Sequence, residues 1–266
     1  MPFVRLFFYS NTYVALLLFA FTLHSFELDL QSGLDYSLFI GFGSWAVYSG
    51  HTLFGLRYIP KEHFSDRHRW VQRFKPLLLF TVIVGLIGSG IILFSNTSWV
   101  LYLLPAILVT SLYLLPSGGR RLRDIPYLKL ILVTVVVFYL CRWFPQQLTQ
   151  SEHMALSDLL CIAFLFLLTL PFDLRDRNFE TQLSGKNFVE QWGERGSQHV
   201  ILFGLLTCIL VAFWLNRFSE AMALSFALAA FLIPRRSRGE LFYPIFFEGP
   251  LLLMAVLDLA FPVTAQ

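Results

Sequence analysis

The stretch "LLCIAFLFLLTLPFDLRDRNFE", residues 159 to 180, changes abruptly from apolar residues to a dense group of charges. Its first twelve residues carry no charge, and its last ten carry three carboxylates and two arginines. A helix that crosses the hydrocarbon of a membrane needs about 20 mostly apolar residues. The stretch is therefore typical of a membrane-spanning helix that ends in a polar, charged segment.

The composition of the whole chain agrees with this interpretation. Of its 266 residues, 56% are hydrophobic and only 14% are charged, with a mean hydropathy of +0.65. Soluble globular chains have about a quarter of their residues charged. Apolar runs recur along the entire length with few polar positions inside them, which disfavours a stack of soluble amphipathic helices. We therefore predict an all-α, polytopic membrane protein.

The apolar runs divide the chain into nine predicted transmembrane helices within a single domain, residues 1–266. No internal repeat, low-complexity tract or linker interrupts them. The predicted spans are residues 9–26, 34–56, 76–94, 99–115, 127–144, 155–172, 199–215, 221–233 and 241–261.

The basic residues set the predicted orientation, because Lys and Arg accumulate on the cytoplasmic side of a membrane protein. With nine spans, 18 of the 20 basic residues fall on one side, and only Arg142 and Arg217 fall on the other. The N-terminus is then cytoplasmic and the C-terminus lies on the opposite side. The long loops 57–75, 116–126 and 173–198 face the cytoplasm. We expect a bacterial inner membrane and no nucleic-acid partner.

Three carboxylates in the third of these loops suggest a metal site. Asp173, Asp176 and Glu180 are spaced i, i+3 and i+7, so they share one face if the sixth span continues as a helix. Mg²⁺ binds proteins through one or two carboxylates and takes further ligands from water and phosphate oxygens. The alternative is a solvated loop whose charges pair locally.

The sequence around these acids resembles a motif of the UbiA superfamily of intramembrane prenyltransferases. In that family an Arg-Asp pair is followed by another acid, a Gly-Lys/Arg-Thr element and a glycine near the next span. The matching segment is "FDLRDRNFETQLSGKNFVEQWG", residues 172–193, in which Glu180 stands for the usual Asp and Asn187 for the Thr. The matching residues are Asp173, Arg175, Asp176, Gly185, Lys186 and Gly193.

The resemblance implies a fold and an activity. Members of the family form a nine-helix bundle with a cavity open to the cytoplasm, and they join an isoprenyl diphosphate to a hydrophobic acceptor, often an aromatic ring. Their two acidic motifs bind Mg²⁺, which neutralises charge on the leaving diphosphate. By this resemblance, Asp173 and Asp176 are catalytic, and Asp173, Asp176 and Glu180 bind the metal.

The family's first acidic motif is absent from this chain. It should fall in "YSGHTLFGLR", residues 48–57, where Ser49, Leu53 and Arg57 occupy the positions of the expected Asn, Asp and Asp. The chain that follows is strongly basic. One hypothesis is that arginines bind the diphosphate directly, because a planar guanidinium suits phosphate oxygens. The alternative is the ordinary cytoplasmic bias of basic residues together with contact to anionic lipids.

The predicted diphosphate-binding residues come from all three cytoplasmic loops and from the start of the fifth span. They are Arg57, Arg67, Arg69, Arg121, Arg123, Lys129, Arg175 and Lys186.

Two functions from different classes follow. The first is a divergent, magnesium-assisted prenyltransferase. The second is a non-catalytic UbiA-like membrane protein that binds a lipid diphosphate or a partner enzyme, which the loss of the first acidic motif favours.

Overall fold

The computed structural model describes most of the chain. The described residues are 2–26, 30–60, 62, 64–114, 125, 127–149, 155–183, 188–234 and 238–260. Within them, side chains are not described at residues 2, 30–32, 58, 114, 155, 176–183, 190 and 259.

The described part of the chain is all-helical and contains no β-strand. A 3₁₀ turn, Leu56–Tyr58, follows the third helix, and π-helical turns occur at Tyr139–Trp143 and Pro244–Glu248. The helices are α1 Pro2–Tyr9, α2 Thr12–His24, α3 Leu30–Gly55, α4 Asp66–Arg73, α5 Lys75–Ser95, α6 Trp99–Leu114, α7 Leu128–Phe138, α8 Phe144–Thr149, α9 Ala155–Leu183, α10 Phe188–Trp214, α11 Phe218–Leu232 and α12 Gly249–Ala260.

Helical residues coincide with each of the nine predicted spans, but fewer helices are long and apolar enough to cross a membrane on their own. Among the described residues, four meet both conditions, and a fifth span results if α1 and α2 form one bent span. The chain is thus a multi-pass membrane protein, and the count of nine spans remains a prediction. The four are Lys75–Ser95, Leu128–Thr149, Leu156–Arg175 and Gln191–Trp214.

The chain divides into two compact units, Met1–Leu104 and Pro105–Gln266, which are described separately. The single domain predicted from the sequence remains a prediction. In unit 1, α3 packs between α2 and α5. The contact with α5 is close because Gly85 has no side chain: a methyl group there would lie 2.6 Å from the carbonyl oxygen of Phe42. Small residues at helix interfaces are a usual way to bring membrane helices together.

Unit 1 begins with a broken helix. The axes of α1 and α2 differ by 60°, and Asn11 adopts a left-handed conformation (φ 61°) at the break. The break exposes backbone groups that need partners. The indole Nε1 of Trp45 and the hydroxyl of Ser49 both donate to the carbonyl of Ser10, at 3.1 and 3.3 Å. Side chains of α3 therefore stabilise the break.

In unit 2, α9 packs against α7 and α10, and α11 packs against α10 and α12. The π-helical turn Pro244–Glu248 contacts both α9 and α11. Helix α10 contains a kink at Gly193, whose backbone (φ 72°, ψ 163°) lies in a region that is essentially restricted to glycine. These contacts determine which polar side chains of unit 2 meet.

Candidate functional site

The acidic face predicted after the sixth span requires that the span continue as a helix, and the backbone is helical there. Helix α9 continues through Pro171 to Leu183, so residues 173, 176 and 180 lie on one face of a single helix. The side chains of Asp176 and Glu180 lie outside the described residues. Asp173 is described, and it is only 3% exposed.

Asp173 forms a close ion pair with Lys129. The Nζ atom of Lys129, in the first turn of α7, lies 2.6 Å from Oδ1 of Asp173, and the lysine side chain is 21% exposed. A buried charge is costly unless it is paired. The packing of α7 against α9 thus brings together two residues that the sequence assigned separately, one to the metal and one to the diphosphate.

Arg175 lies two residues further along α9 against two aromatic rings. The central carbon of its guanidinium group is 5.0 Å from the ring centre of Phe172 and 5.4 Å from that of Tyr243. Tyr243 is buried, and the two rings are 6.0 Å apart. A cation within about 6 Å of aromatic faces is held by their quadrupoles. The aromatic pair therefore positions a guanidinium group close in sequence to the buried acid.

The beginnings of α7 and α10 are joined by Tyr127. Its hydroxyl donates to Oε1 of Gln191 and accepts a hydrogen bond from Nε1 of Trp192, at 2.9 Å. The ring of Phe188 packs edge-on against Tyr127 and stacks on Trp192. Sequence reasoning did not identify this cluster, although the two aromatic residues and Gln191 fall at helical spacing. The cluster fixes the position of the beginning of α10 relative to α7.

Three predicted diphosphate residues lie in unit 1. Arg57 is exposed, with its guanidinium group 5.7 Å from the ring centre of Phe54. Arg67 donates to Oδ1 of Asn11 at 3.1 Å, and Arg69 forms an exposed ion pair with Asp66 at 3.1 Å. The diphosphate role of these arginines remains a prediction.

Arg121, Arg123 and Lys186, which the sequence also assigns to the diphosphate, lie outside the described residues.

The positions where the resemblance expects the first acidic motif have structural contacts instead. Ser49 is fully buried and donates to the break between α1 and α2. Leu53 packs against an apolar cluster of Leu56, Val71 and Leu78. These contacts explain why a serine suits position 49 and a leucine suits position 53.

A second polar cluster in unit 2 contains the two basic residues that the charge pattern assigned to the opposite side of the membrane. Nε of Arg142, in the first π-helical turn, lies 3.8 Å from Oδ1 of Asp158, which also accepts a hydrogen bond from Gln146 at 3.2 Å. Arg217 donates to Ser157 at 2.6 Å and lies 3.7 Å from Glu220.

Sequence reasoning did not identify this second cluster. The i, i+3 spacing of Arg217 and Glu220 was a readable signal, whereas the pairing of Arg142 with Asp158 depends on tertiary packing. The cluster joins the π-helical turn Tyr139–Trp143, α8, α9 and the connection between α10 and α11.

The donor groups of the described residues bear on metal binding. The described residues contain no group of three or more His, Cys, Asp or Glu side chains that could hold a metal ion; the side chains of Asp176 and Glu180 were not among them. Oδ1 of Asp173 forms the ion pair with Nζ of Lys129. Three carboxylates on one helical face fit Mg²⁺.

Comparison of the chain with models of protein families, with curated proteins and with solved structures found no match.

Proposed function

We propose that this chain is a divergent prenyltransferase of the UbiA type, which moves an isoprenyl group from a diphosphate donor to a hydrophobic acceptor. The observation that carries the proposal is the buried ion pair of Lys129 and Asp173. Asp173 matches an acid of the family's motif, and its carboxylate is buried at the charged end of an apolar helix. Burial of an isolated charge would be unfavourable at this position. A functional role would explain why a charged pair is nevertheless kept there.

The proposed roles follow from the contacts. Lys129 pairs with the carboxylate of Asp173 and fixes its orientation. The ammonium group of Lys129 and the guanidinium group of Arg175 supply positive charge for the oxygens of the donor. Asp173, Asp176 and Glu180 would hold Mg²⁺, which neutralises charge on the leaving diphosphate when bound.

The transfer itself breaks the allylic C–O bond of the donor, and both electrons leave with the diphosphate. The acceptor then forms a bond to the freed carbon and releases a proton. Arg175 and Lys129 stabilise the charge that develops on the leaving group, because preformed positive groups act most strongly where water is excluded.

A second candidate is a protein that binds a lipid diphosphate without turnover. It is favoured by one specific observation: Ser49 and Leu53, at two positions of the missing motif, have structural contacts in unit 1. With only one acidic motif, the chain has fewer ligands for metal than the family pattern requires.

The decisive assay is the transfer of a radiolabelled isoprenyl group by membranes that contain the protein, with and without Mg²⁺. We expect Asp173→Asn, Asp176→Asn and Lys129→Met each to lower the rate by about 100-fold or more, in line with the loss of one transition-state contact. Lys129→Arg retains the charge and should retain part of the activity. Asp66→Asn, which neutralises an exposed acid, is the control and should be unaffected.

Binding of the labelled diphosphate to the same variants separates the two candidates. Binding that needs Lys129 and Asp173, without transfer to any acceptor fraction of the membrane, would identify the binding protein. Activity that is indifferent to Mg²⁺ and to all three substitutions would refute the proposed mechanism. Wild-type diphosphate affinity in both Arg57→Ala and Arg69→Ala would end the predicted role of these arginines.

A further inference from the structure

Two short helices of unit 1 pack together where the chain enters its first apolar helices. The ring of Tyr9, at the end of α1, lies 5.7 Å from Trp70 of α4, and Trp70 lies 4.8 Å from Phe74. Arg67 of α4 donates to Asn11 at the break that follows α1. These contacts fix α4 against the break between α1 and α2.

A small apolar core fixes the same region at the ends of α3 and α5. Leu56 of the 3₁₀ turn, Val71 of α4 and Leu78 of α5 are buried against one another. The end of α3 and the beginning of α5 therefore meet beneath α4. Helix α5 is the most apolar of the four candidate spans, and Lys75 is its first residue. Its first turn thus marks the boundary of the hydrocarbon.

Exposed basic and aromatic side chains surround this boundary. We define the basic–aromatic surface as Phe3, Arg5, Arg73, Phe74 and Lys75, all of which are exposed. Phe3 is 75% exposed and Phe74 is 38% exposed. The guanidinium group of Arg73 lies 5.7 Å from the ring centre of Phe74. Basic and aromatic groups thus alternate both on α1 and at the junction of α4 and α5, two segments that pack together through Tyr9 and Trp70.

The region around this surface carries a net positive charge. Residues 2–9 and 64–78 contain five basic residues and a single carboxylate, that of Asp66. That carboxylate pairs with Arg69, which is not part of the basic–aromatic surface. The surface therefore presents positive charge with no carboxylate of its own.

We propose that the basic–aromatic surface binds the headgroups of anionic phospholipids. The 60° bend turns α1 away from the axis of α2, as suits a helix that lies among the headgroups with its apolar side toward the acyl chains. Arg5, Arg73 and Lys75 then meet lipid phosphates, and Phe3 and Phe74 enter the acyl region. The site differs from the residues proposed for prenyl transfer, so neither proposal depends on the other.

The test uses the purified full chain in detergent micelles, titrated with phosphatidylglycerol or with phosphatidylcholine of the same acyl chains and followed by native mass spectrometry. We expect phosphatidylglycerol to bind at least about 10-fold more tightly than phosphatidylcholine, because each basic residue near an anionic headgroup adds to the attraction. The preference of the wild-type protein for phosphatidylglycerol should fall sharply in 0.5 M salt, because salt screens the attraction between exposed charges.

Two triple variants locate the site. Arg5→Gln/Arg73→Gln/Lys75→Gln should reduce the affinity for phosphatidylglycerol to that for phosphatidylcholine, whereas the charge-conserving Arg5→Lys/Arg73→Lys/Lys75→Arg should retain most of it. Equal affinity of the wild type for both lipids would overturn the proposal. So would displacement of phosphatidylglycerol by millimolar pyrophosphate, which would identify a site for soluble phosphates.

Discussion

Asp158 and Asp66 each pair with an arginine, but their surroundings differ. The side chains of Arg142 and Asp158 are 7% and 14% exposed, whereas those of Arg69 and Asp66 are 69% and 61% exposed. Exposed pairs are worth about 0–1 kcal/mol. Removing one partner of a buried pair costs more, because the other charge stays in a poorly solvated place.

We therefore predict that Asp158→Asn lowers the free energy of unfolding by about 3 kcal/mol, and that Asp66→Asn changes it by less than about 1 kcal/mol. Unfolding of the two variants by a denaturing detergent in mixed micelles provides the measurement. The double variant Arg142→Met/Asp158→Asn should recover part of the loss. Equal effects of the two single substitutions would show that burial does not decide the strength of these pairs.

Individual site residues were predictable to different degrees. The i, i+3, i+7 spacing of Asp173, Asp176 and Glu180 can be read directly, and α9 provides the continuous helix that this prediction requires. The contact of Lys129 with Asp173 could not be read, since it depends on how α7 packs against α9. A charge count likewise assigns Arg142 to a side of the membrane but does not show that it is buried.

At the scale of elements, the contact between α3 and α5 depends on one small residue. A methyl group at Gly85 would lie 2.6 Å from a backbone oxygen of Phe42 and 2.9 Å from Ala46. A backbone atom cannot rotate away as the tip of a side chain can, so the two helices would have to separate. Gly90, on the same helix, has open space around its added methyl group.

These two glycines form a matched pair for a second prediction. Gly85→Ala should destabilise the protein by about 3 kcal/mol, the upper end of the cost of overpacking. Gly90→Ala should be neutral or stabilising by up to about 1 kcal/mol, because alanine favours a helix more than glycine does. Thermal unfolding in micelles would measure both, and equal stability of the two variants would contradict the close α3–α5 contact.

The elements themselves were largely predictable from hydropathy, but their ends and irregularities were not. Helix α10 begins at Phe188 rather than at residue 199, because its first residues are mixed in polarity and escape a search for apolar runs. The break at Asn11 was missed because it lies next to an apolar run and is stabilised by side chains of α3. The π-helical turns have no pattern in hydropathy at all.

At the scale of the whole molecule, the loop charges predict how the chain is oriented in the membrane. Arg73 and Thr97 are exposed residues near the two ends of α5. If α5 spans the membrane and the basic residues face the cytoplasm, the two positions lie on opposite sides. The native cysteines, Cys141, Cys161 and Cys208, lie within apolar helices and are replaced first.

We predict that an impermeant maleimide labels Thr97→Cys in intact cells, and that it labels Arg73→Cys only after the membrane is opened. A permeant maleimide should label both positions and serves as the control for reactivity. Labelling of Arg73→Cys but not of Thr97→Cys in intact cells would reverse the orientation derived from the loop charges. Labelling of both positions from outside would show that α5 does not cross.

The membrane class of the protein follows from composition alone, since the excess of apolar residues is a property of the whole chain. The number of spans does not. Helices such as α11, with 15 residues, are shorter than a typical span, and whether they cross depends on their neighbours and on the local thickness of the bilayer. Hydropathy is calculated for each segment separately, so it does not include the effect of neighbouring helices or of local bilayer thickness.

The length of α9 has a consequence for its acids. Its 29 residues extend about 44 Å at 1.5 Å per residue, which is longer than the roughly 30 Å of bilayer hydrocarbon. If Leu156 to Arg175 fills the hydrocarbon, the helical turns that follow Arg175 in α9 extend beyond it. Asp176 and Glu180 then reach the water phase on a helix rather than on a loop, so their spacing along the membrane normal is set by helical rise and is preserved without any bound ligand.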